Sequence, residues 1–357
     1  MDVRAEQPGG DPALRRLVES MPKVELHLHL DGSVLVDTAL ELARTRDVDA
    51  PRDRAAMQAA LVAPMPAASQ ADLLRAFDLP IALLQDADAL ARVSAELVAA
   101  KAADGVRYVE IRWGPALHVA KGLPLTVGIE AVVTAGTEAA TGLGVAVRFI
   151  CTALRSHDPV LNEHLAEVAA RFRDRGLTGF DLAGPERAFP DPLVQRRAFD
   201  AARAGGLRIT LHAGEWGGAA QVRRALAMEP ERIAHGPGTI DDPGLVDELR
   251  RRRIALDLCP TSNVQAAIVP SLAAHPLARL HRAGVPVTLS TDDLTVSDLS
   301  LSDEYERAVT EIGLTLPELW AIDRGALAFA FAEADTMARL GAELGRWAEP
   351  IEALRAT

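Results

Sequence analysis

The chain has 357 residues, 49% of them hydrophobic, with two cysteines and a formal net charge of −12. That composition is long and apolar enough for a large core, which excludes disorder, and its acidic balance argues against a broad nucleic-acid or anionic-membrane surface. A small molecule is the expected partner, and two distant cysteines in apolar contexts, Cys151 and Cys259, fit a reducing cytoplasm better than a disulfide framework.

Residues 1–20, with Pro8, Gly9 and Gly10 among scattered charges, read as an N-terminal extension lacking the apolar segment of a secretory signal. No later run is long enough to span a bilayer, and nothing in the pattern sets an oligomeric state. Residues 21–357 read as a single domain. It opens with Lys23-Val24-Glu25-Leu26-His27-Leu28-His29-Leu30-Asp31-Gly32, in which Val24, Leu26, Leu28 and Leu30 alternate with Glu25, His27, His29 and Asp31. Period two is the strand signature, so both imidazoles point one way, whereas on a helix positions i and i+2 would diverge. Glu25, on the same parity, should point into the fold and need a partner such as an arginine.

From Val34 to Asp104 the chain reads as a helical excursion interrupted by Pro51, Pro64, Pro66 and Pro80. Apolar β-branched runs then alternate with helical patterns: Val106 to Trp113, Val145 to Leu154, Leu177 to Gly184, Leu207 to Glu215, Arg232 to Gly236, Ile254 to Pro260 and Val285 to Thr291. The intervening helices include Pro192 to Ala204, Ala219 to Met228, Pro243 to Arg253 and Pro276 to Ala283. With the opening strand there are eight βα units, which predicts an α/β fold of the (β/α)8 barrel type. Extra helices follow strand one, and residues Ser302 to Thr357 add more at the C-terminus. An open doubly wound sheet is the competing architecture, but no Gly-x-Gly-x-x-Gly turn follows the first strand.

In such barrels chemistry sits at the C-terminal strand ends. Those ends carry His27, His29 and Asp31, then Asp181 and Gly184, then His212, Gly214 and Glu215, then His235, then Asp292 and Asp293. Four histidines facing one mouth are hard to obtain from packing. Imidazoles with a carboxylate suit Zn2+, which brings the pKa of a coordinated water to about 7. Adjacent Asp292 and Asp293 face different ways on a strand, so one can bind metal while the other turns toward substrate; taken alone, such a pair is better explained by a solvated loop or a helix cap. Gly214 supplies the freedom to swing Glu215 over the mouth, where a carboxylic acid can shuttle protons, although a glutamate that merely starts the next helix is also common. Trp216 either packs over the pocket or covers that helix start.

Six stretches resemble the adenosine deaminase family of zinc aminohydrolases: Met-Pro-Lys-Val-Glu-Leu-His-Leu-His-Leu-Asp-Gly (21–32), Asp-Leu-Ala-Gly-Pro-Glu (181–186), His-Ala-Gly-Glu (212–215), Arg-Ile-Ala-His-Gly (232–236), Cys-Pro-Thr-Ser-Asn (259–263) and Ser-Thr-Asp-Asp (290–293). The resemblance implies one Zn2+ on His27, His29, His212 and Asp292, with Glu215 protonating a purine ring nitrogen. It also implies that His235 orients or helps deprotonate the attacking water. Asp293 would bind the imidazole side of the purine, the Gly184 N–H its pyrimidine edge, and Asp31 a sugar hydroxyl. Leu73 and Phe77, in Gln70-Ala71-Asp72-Leu73-Leu74-Arg75-Ala76-Phe77, resemble the apolar helix that roofs the family's substrate pocket, and Gln70 is expected to face solvent.

The implied activity is hydrolytic deamination of an aminopurine nucleoside, with adenosine or deoxyadenosine leading and with aminodeoxyfutalosine or free adenine as alternatives. A non-catalytic binding protein that retains the barrel is a distant alternative. The fourth strand has no lysine to bridge two metals, and Cys259-Pro260 lacks the order and second cysteine of the Cys-based zinc deaminases. Ala234 stands where the family usually has glycine, and Leu294 where proline is common.

Overall fold

The computed structural model describes residues 11–354, so Pro8, Gly9 and Gly10 lie outside the described residues. Its centre is an eight-stranded sheet in strand order one to eight: β1 (Lys23–His29), β2 (Val106–Trp113), β3 (Ala146–Leu154), β4 (Leu177–Ala183), β5 (Arg208–His212), β6 (Arg232–Ala234), β7 (Ala255–Leu258) and β8 (Val287–Leu289). Each strand pairs in parallel with the next. The sheet closes where Leu28 bridges Asp292, the His29 N–H donates to the Asp292 carbonyl at 2.7 Å and the Asp292 N–H donates to the His27 carbonyl at 3.1 Å. The fold is the expected (β/α)8 barrel.

Helices return between strands because each segment carries its own start and stop. Asp86 caps the helix Ala87–Ala103 by accepting from the Ala89 N–H, and Gly144, at φ 70°, ends the helix Leu125–Leu143 in the left-handed conformation. Ser300 and Asp303 form a reciprocal capping box at the start of Leu301–Thr310. Before the barrel, the helix Pro12–Ser20 is tied to that C-terminal helix by Arg15, whose Nη1 lies 2.6 Å from Asp303 and 3.0 Å from Glu306.

Several strands stop short of their expected ends. β5 ends at His212, not Glu215; β6 at Ala234, not Gly236; β7 at Leu258, not Pro260; and β8 at Leu289, not Thr291. After β5, β6 and β8 the left-handed backbone of Gly214 (φ 74°), His235 (φ 67°), Gly236 (φ 71°) and Asp292 (φ 69°) breaks the extended geometry, while β7 gives way to the helix Pro260–Gln265. Glu215, His235, Asp292 and Asp293 therefore stand on short turns just above the ladder, while His27, His29 and His212 lie within β1 and β5.

Beneath them the barrel holds charge as well as apolar side chains. Glu110, Arg112, Asp181, Arg232 and Asp257 are fully buried. Arg232 Nε lies 3.0 Å from Asp257, Arg112 Nη1 lies 3.3 Å from Asp181, and Arg232 also pairs with Glu110. Mutual pairing keeps such a layer tolerable, since one unpaired member would be a buried charge.

Glu25 departs from expectation. Its Oε2 pairs at 2.8 Å with Lys101, from the helix Ala87–Ala103, while Oε1 accepts from the N–H and hydroxyl of Thr291 at 3.0 and 2.6 Å. The partner is a lysine from the surrounding helices, not an arginine. The pairing of β1 with β2 shifts register between Glu25 and Leu28, and simple alternation does not carry across that irregularity.

Candidate metal centre and active site

Above β1, β5 and β8, four ligand atoms face one another. His27 Nε2 lies 3.3 Å from His29 Nε2 and 2.9 Å from Asp292 Oδ1; His29 Nε2 lies 3.2 Å from His212 Nε2 and 3.4 Å from Asp292 Oδ1. A tetrahedral zinc site with bonds of roughly 2.0–2.1 Å has ligand edges of about 3.3 Å, so the spacing fits such an ion. The chemistry fits too: burial holds His27 well below its usual pKa and His29 down to about 4, leaving neutral lone pairs. Burial opposes ionisation of Asp292, but the neighbouring His27 and His235 outweigh it and keep the carboxylate charged.

His235 stands at the edge of the cluster. One ligand atom from each of His27, His212, His235 and Asp292 also lies within 4.8 Å of the others, a looser set. His235 Nε2 is 3.7 Å from Asp292 Oδ2 and 3.9 Å from Glu215 Oε1, so the shorter contacts belong to His29.

A supporting layer holds these groups. Asp181 Oδ2 lies 2.9 Å from His212 Nδ1, orienting that ring, and Asp181 is held ionised despite burial by His212 and by Arg112 below. The Ser262 hydroxyl donates to Asp292 Oδ2 at 2.7 Å. His27 Nδ1 is buried without a partner.

Glu215 is buried, and burial followed by the charges of Asp292, Glu186 and Asp293 pushes its carboxyl well above the usual range. It is thereby kept as an acid able to donate a proton. Its loop is fixed by Glu186, whose Oε1 accepts from the Gly214 N–H at 2.7 Å and whose Oε2 accepts from Trp216 and Gly217 at 2.9 and 2.8 Å. Arg155 ties this loop to β3 by donating to the His212 carbonyl at 2.9 Å.

Asp293 is driven up by burial and by the adjacent charges of Asp292 and Asp31, so it too presents a carboxylic acid, with Oδ1 unpartnered. Gly32 lies against it: a Cβ there would sit 1.6 Å from Asp293 Oδ1. Gly184 has φ 106°, and a Cβ would meet nothing nearer than the Arg155 nitrogen at 3.7 Å, so backbone conformation demands glycine more than crowding does. Asp31 Oδ2 faces His118 Nε2 at 3.8 Å; Asp31 Oδ1 and both His118 nitrogens are buried and unpartnered.

Leu73 is buried in a small apolar cluster with Ala63, Ala67, Ala76, Ala266 and Val296, against which Phe77, Trp216 and Ile268 pack. Trp216 thus packs on this cluster beside a cavity that Glu215 also lines and does not simply cover a helix start. A cavity of about 580 Å³ runs from Gly214 and Glu215 past Gln70, Arg187 and Arg279. Gln70 lines it with its amide nitrogen buried, contrary to the solvent-facing expectation. The sequence reading passed over His118, Glu186, Ser262, Asn263 and His275. Glu186, Ser262 and Asn263 lie within matched motifs, while His118 and His275 stand alone in sequence.

A family model described as adenosine deaminase matches residues 22–347. The chain belongs to the adenosine deaminase family. It is 35% identical to an adenosine deaminase of Enterococcus faecalis, over 89% of this chain and 94% of that one. It is also 35% identical to that of Mycobacteroides abscessus, over 89% and 92%. Among solved structures it resembles an adenine deaminase from Arthrobacter aurescens (26% identity, 92% of this chain and 99% of that one, TM-score 0.84). A zinc-bound amidohydrolase from Burkholderia ambifaria matches at 26% identity over 97% and 95%, with a TM-score of 0.87. The Arabidopsis N6-mAMP deaminase matches at 29% identity over 93% and 99%, with a TM-score of 0.82. The family member described here is a hydrolytic deaminase whose His and Asp cluster is fit for a divalent metal.

Proposed function

We propose that the enzyme deaminates an aminopurine nucleoside, adenosine or deoxyadenosine first among them, giving inosine or deoxyinosine and ammonia. His27, His29, His212 and Asp292 would hold one Zn2+, with His29 favoured over His235 as the third imidazole by its shorter contacts. When bound, that ion supplies Lewis acidity that makes water a nucleophile at neutral pH.

The chain's own residues divide the remaining work. Glu215, kept protonated by burial, gives its proton to the ring nitrogen beside the amino-bearing carbon, so that carbon accepts the attacking oxygen. Asp293, likewise protonated, donates to a nitrogen on the imidazole side, and the Gly184 N–H holds the opposite edge. Leu73 and Phe77 belong to the apolar roof that excludes water, and His235 contacts the attacking oxygen. Loss of the tetrahedral carbon's amino group as ammonia completes the exchange of nitrogen for oxygen.

The observation that carries the nucleoside reading is the pair Asp31 and His118, two buried polar groups 3.8 Å apart with unpartnered atoms. A sugar hydroxyl can donate to Asp31 and accept from His118, satisfying both; free adenine leaves them unmatched. His118 and His29 keep Asp31 ionised although burial opposes it, so a phosphate there would be repelled and a nucleoside favoured over its monophosphate. A second reading, aminodeoxyfutalosine, is supported by the cavity beside Glu215, whose Gln70, Arg187 and Arg279 would have room for an aromatic extension. Free adenine is the third candidate. Both cysteines are buried and unpaired, which supports a cytoplasmic setting.

Ammonia release and kcat/KM measured across adenosine, deoxyadenosine, adenine, AMP and aminodeoxyfutalosine decide among these. Adenosine or deoxyadenosine should lead; an advantage of orders of magnitude for another compound would replace the substrate while leaving the acid chemistry of Glu215 intact.

A further inference from the structure

Behind His235 lies a chain of three hydrogen bonds that ends in a group of fixed polarity. The Leu277 backbone N–H donates to His275 Nδ1 at 3.2 Å, His275 Nε2 lies 3.1 Å from Asn263 Oδ1, and Asn263 Nδ2 lies 3.1 Å from His235 Nδ1. All three side chains are buried, at 3%, 0% and 1% exposure for His275, Asn263 and His235. We propose that Asn263 and His275 form a relay that sets the ring tautomer of His235, so that His235 presents an N–H, not a lone pair, to the reacting centre.

A backbone N–H can only donate, and this direction propagates along the chain. His275 Nδ1 must accept, so the neutral ring carries its hydrogen on Nε2 and donates it to the amide oxygen of Asn263. That choice turns the Asn263 NH2 toward His235 Nδ1, which accepts, leaving the ring hydrogen of neutral His235 on Nε2. Reversing any link would set two donors, or two acceptors, against each other in a dry interior and leave buried polar atoms unmatched. Burial keeps His275 neutral by lowering its pKa to about 3, consistent with an Nδ1 that only accepts. The backbone is fixed as well: the Asn263 N–H donates to the Cys259 carbonyl at 2.9 Å and the His235 N–H to the Asp257 carbonyl at 2.9 Å.

Taken with the proposed contact of His235 to the attacking oxygen, on which this inference rests, the tautomer chooses between the two roles the family resemblance allowed. His235 holds that oxygen by donating to it, and while the relay is intact it has no lone pair on Nε2 to take the water's proton. The proton lost by the water goes instead to Glu215, which is a carboxylate once it has given its own proton to the ring nitrogen and whose Oε1 lies 3.9 Å from His235 Nε2, and from there to the departing ammonia. Asn263 and His275 are positioning residues, since neither reaches the metal cluster.

The test is a long-range ¹H–¹⁵N correlation spectrum of the metal-loaded enzyme labelled with ¹⁵N-histidine. His235 and His275 should each show a protonated Nε2 and an unprotonated Nδ1; an Nδ1–H on His235 overturns the proposal. Asn263→Asp, able only to accept, should move the His235 hydrogen to Nδ1. It should also lower kcat for adenosine by about 10² to 10⁴, on the scale of a wrong-tautomer substitution in a catalytic triad, with metal content retained and KM little changed. His275→Leu should lower kcat by freeing the Asn263 amide, and His275→Gln, which still donates to the Asn263 oxygen, should recover most of that loss. An unchanged tautomer, or a kcat within about threefold of wild type in folded Asn263→Asp, also overturns it. The wild-type spectrum decides the tautomer even if that variant does not fold or adenosine proves not to be the substrate.

Discussion

The His29 N–H donates to the Asp292 carbonyl at 2.7 Å, so the seam that closes the barrel joins two residues whose side chains both enter the ligand cluster. Metal and seam should therefore stabilise one another. Chelation of the purified enzyme is expected to lower Tm, because an ion present at about a thousandfold over its Kd contributes about 4 kcal/mol to the folded state. For a chain of this size that is roughly 5 °C. His27→Ala or Asp292→Ala should lose metal, read by elemental analysis, and should lose the Tm response to chelator. Full metal retention in either variant would remove that residue from the ligand set.

Glu215→Gln should keep the metal and the fold, since among the described residues the nearest partner of the Glu215 carboxylate is His235 at 3.9 Å, too far for a hydrogen bond that would hold either in place. It removes the proton that burial keeps on the carboxyl. The expected loss is about a hundredfold or more in kcat, the usual scale of a positioned proton donor, with KM changed much less. Turnover near wild type in the metal-replete variant would assign the proton to another group.

Glu186 offers a sharper probe of geometry, because it holds the Glu215 loop through the N–H groups of Gly214, Trp216 and Gly217, with Arg155 3.9 Å from its Oε1. In Glu186→Gln an amide NH2 must face backbone N–H groups, so at least one bond is lost and the loop moves. Removing the charge also takes away one of the influences that keep the Glu215 acid raised. A displacement of about 1 Å can cost on the order of a hundredfold, so kcat should fall by about 10- to 100-fold while metal content stays constant. Unchanged kcat would mean that the loop is held by Arg155 and packing alone.

The barrel and its histidines were legible in the sequence because both rest on local periodicity. Alternation along β1 places His27 and His29 on one side, and the repeated βα pattern needs no knowledge of contacts. The ends of β6 and β8 were not legible: His235 and Asp292 adopt left-handed backbone without being glycine, and what holds them is their bonds to Asp257 and His27, which are distant in sequence. The same limit hid the Glu25 partner, since the register shift in β1 and the reach of Lys101 are properties of the assembled sheet. His118 and His275 carried no signal because a lone histidine acquires meaning only from what it faces, here Asp31 in one case and Asn263 in the other.

Gly32→Ala tests how closely the mouth is packed. The new methyl would overlap Asp293 Oδ1 at 1.6 Å, so the Asp293 side chain must leave its position. The ligand cluster lies on other side chains and should retain metal. Activity should fall through weaker substrate binding and misplacement, by about tenfold or more in kcat/KM. An inhibitor lacking the ring nitrogen that Asp293 is proposed to contact should lose much less affinity in Gly32→Ala than one retaining it; equal losses would detach Asp293 from that contact.

Far from the chemistry, Asp323 gives the protein a pH-dependent stability of calculable sign. Its Oδ1 accepts from the Tyr305 hydroxyl at 2.6 Å and the Val24 N–H at 2.9 Å, while Oδ2 is buried without a partner. Burial raises the carboxyl to about 7, above the value of 3.8 it has when exposed. The folded state therefore binds one more proton than the unfolded state between those two values. Linkage then requires stability to fall as pH rises through that window and to level off above about 7, with a span on the order of 4 kcal/mol for this one group. Asp323→Asn, which keeps the acceptor and cannot ionise, should remove that slope: the Tm difference between variant and wild type should move in the variant's favour from pH 5 to pH 8. A difference that stays flat, or that moves toward the wild type, would mean that folding does not raise the Asp323 carboxyl into this range.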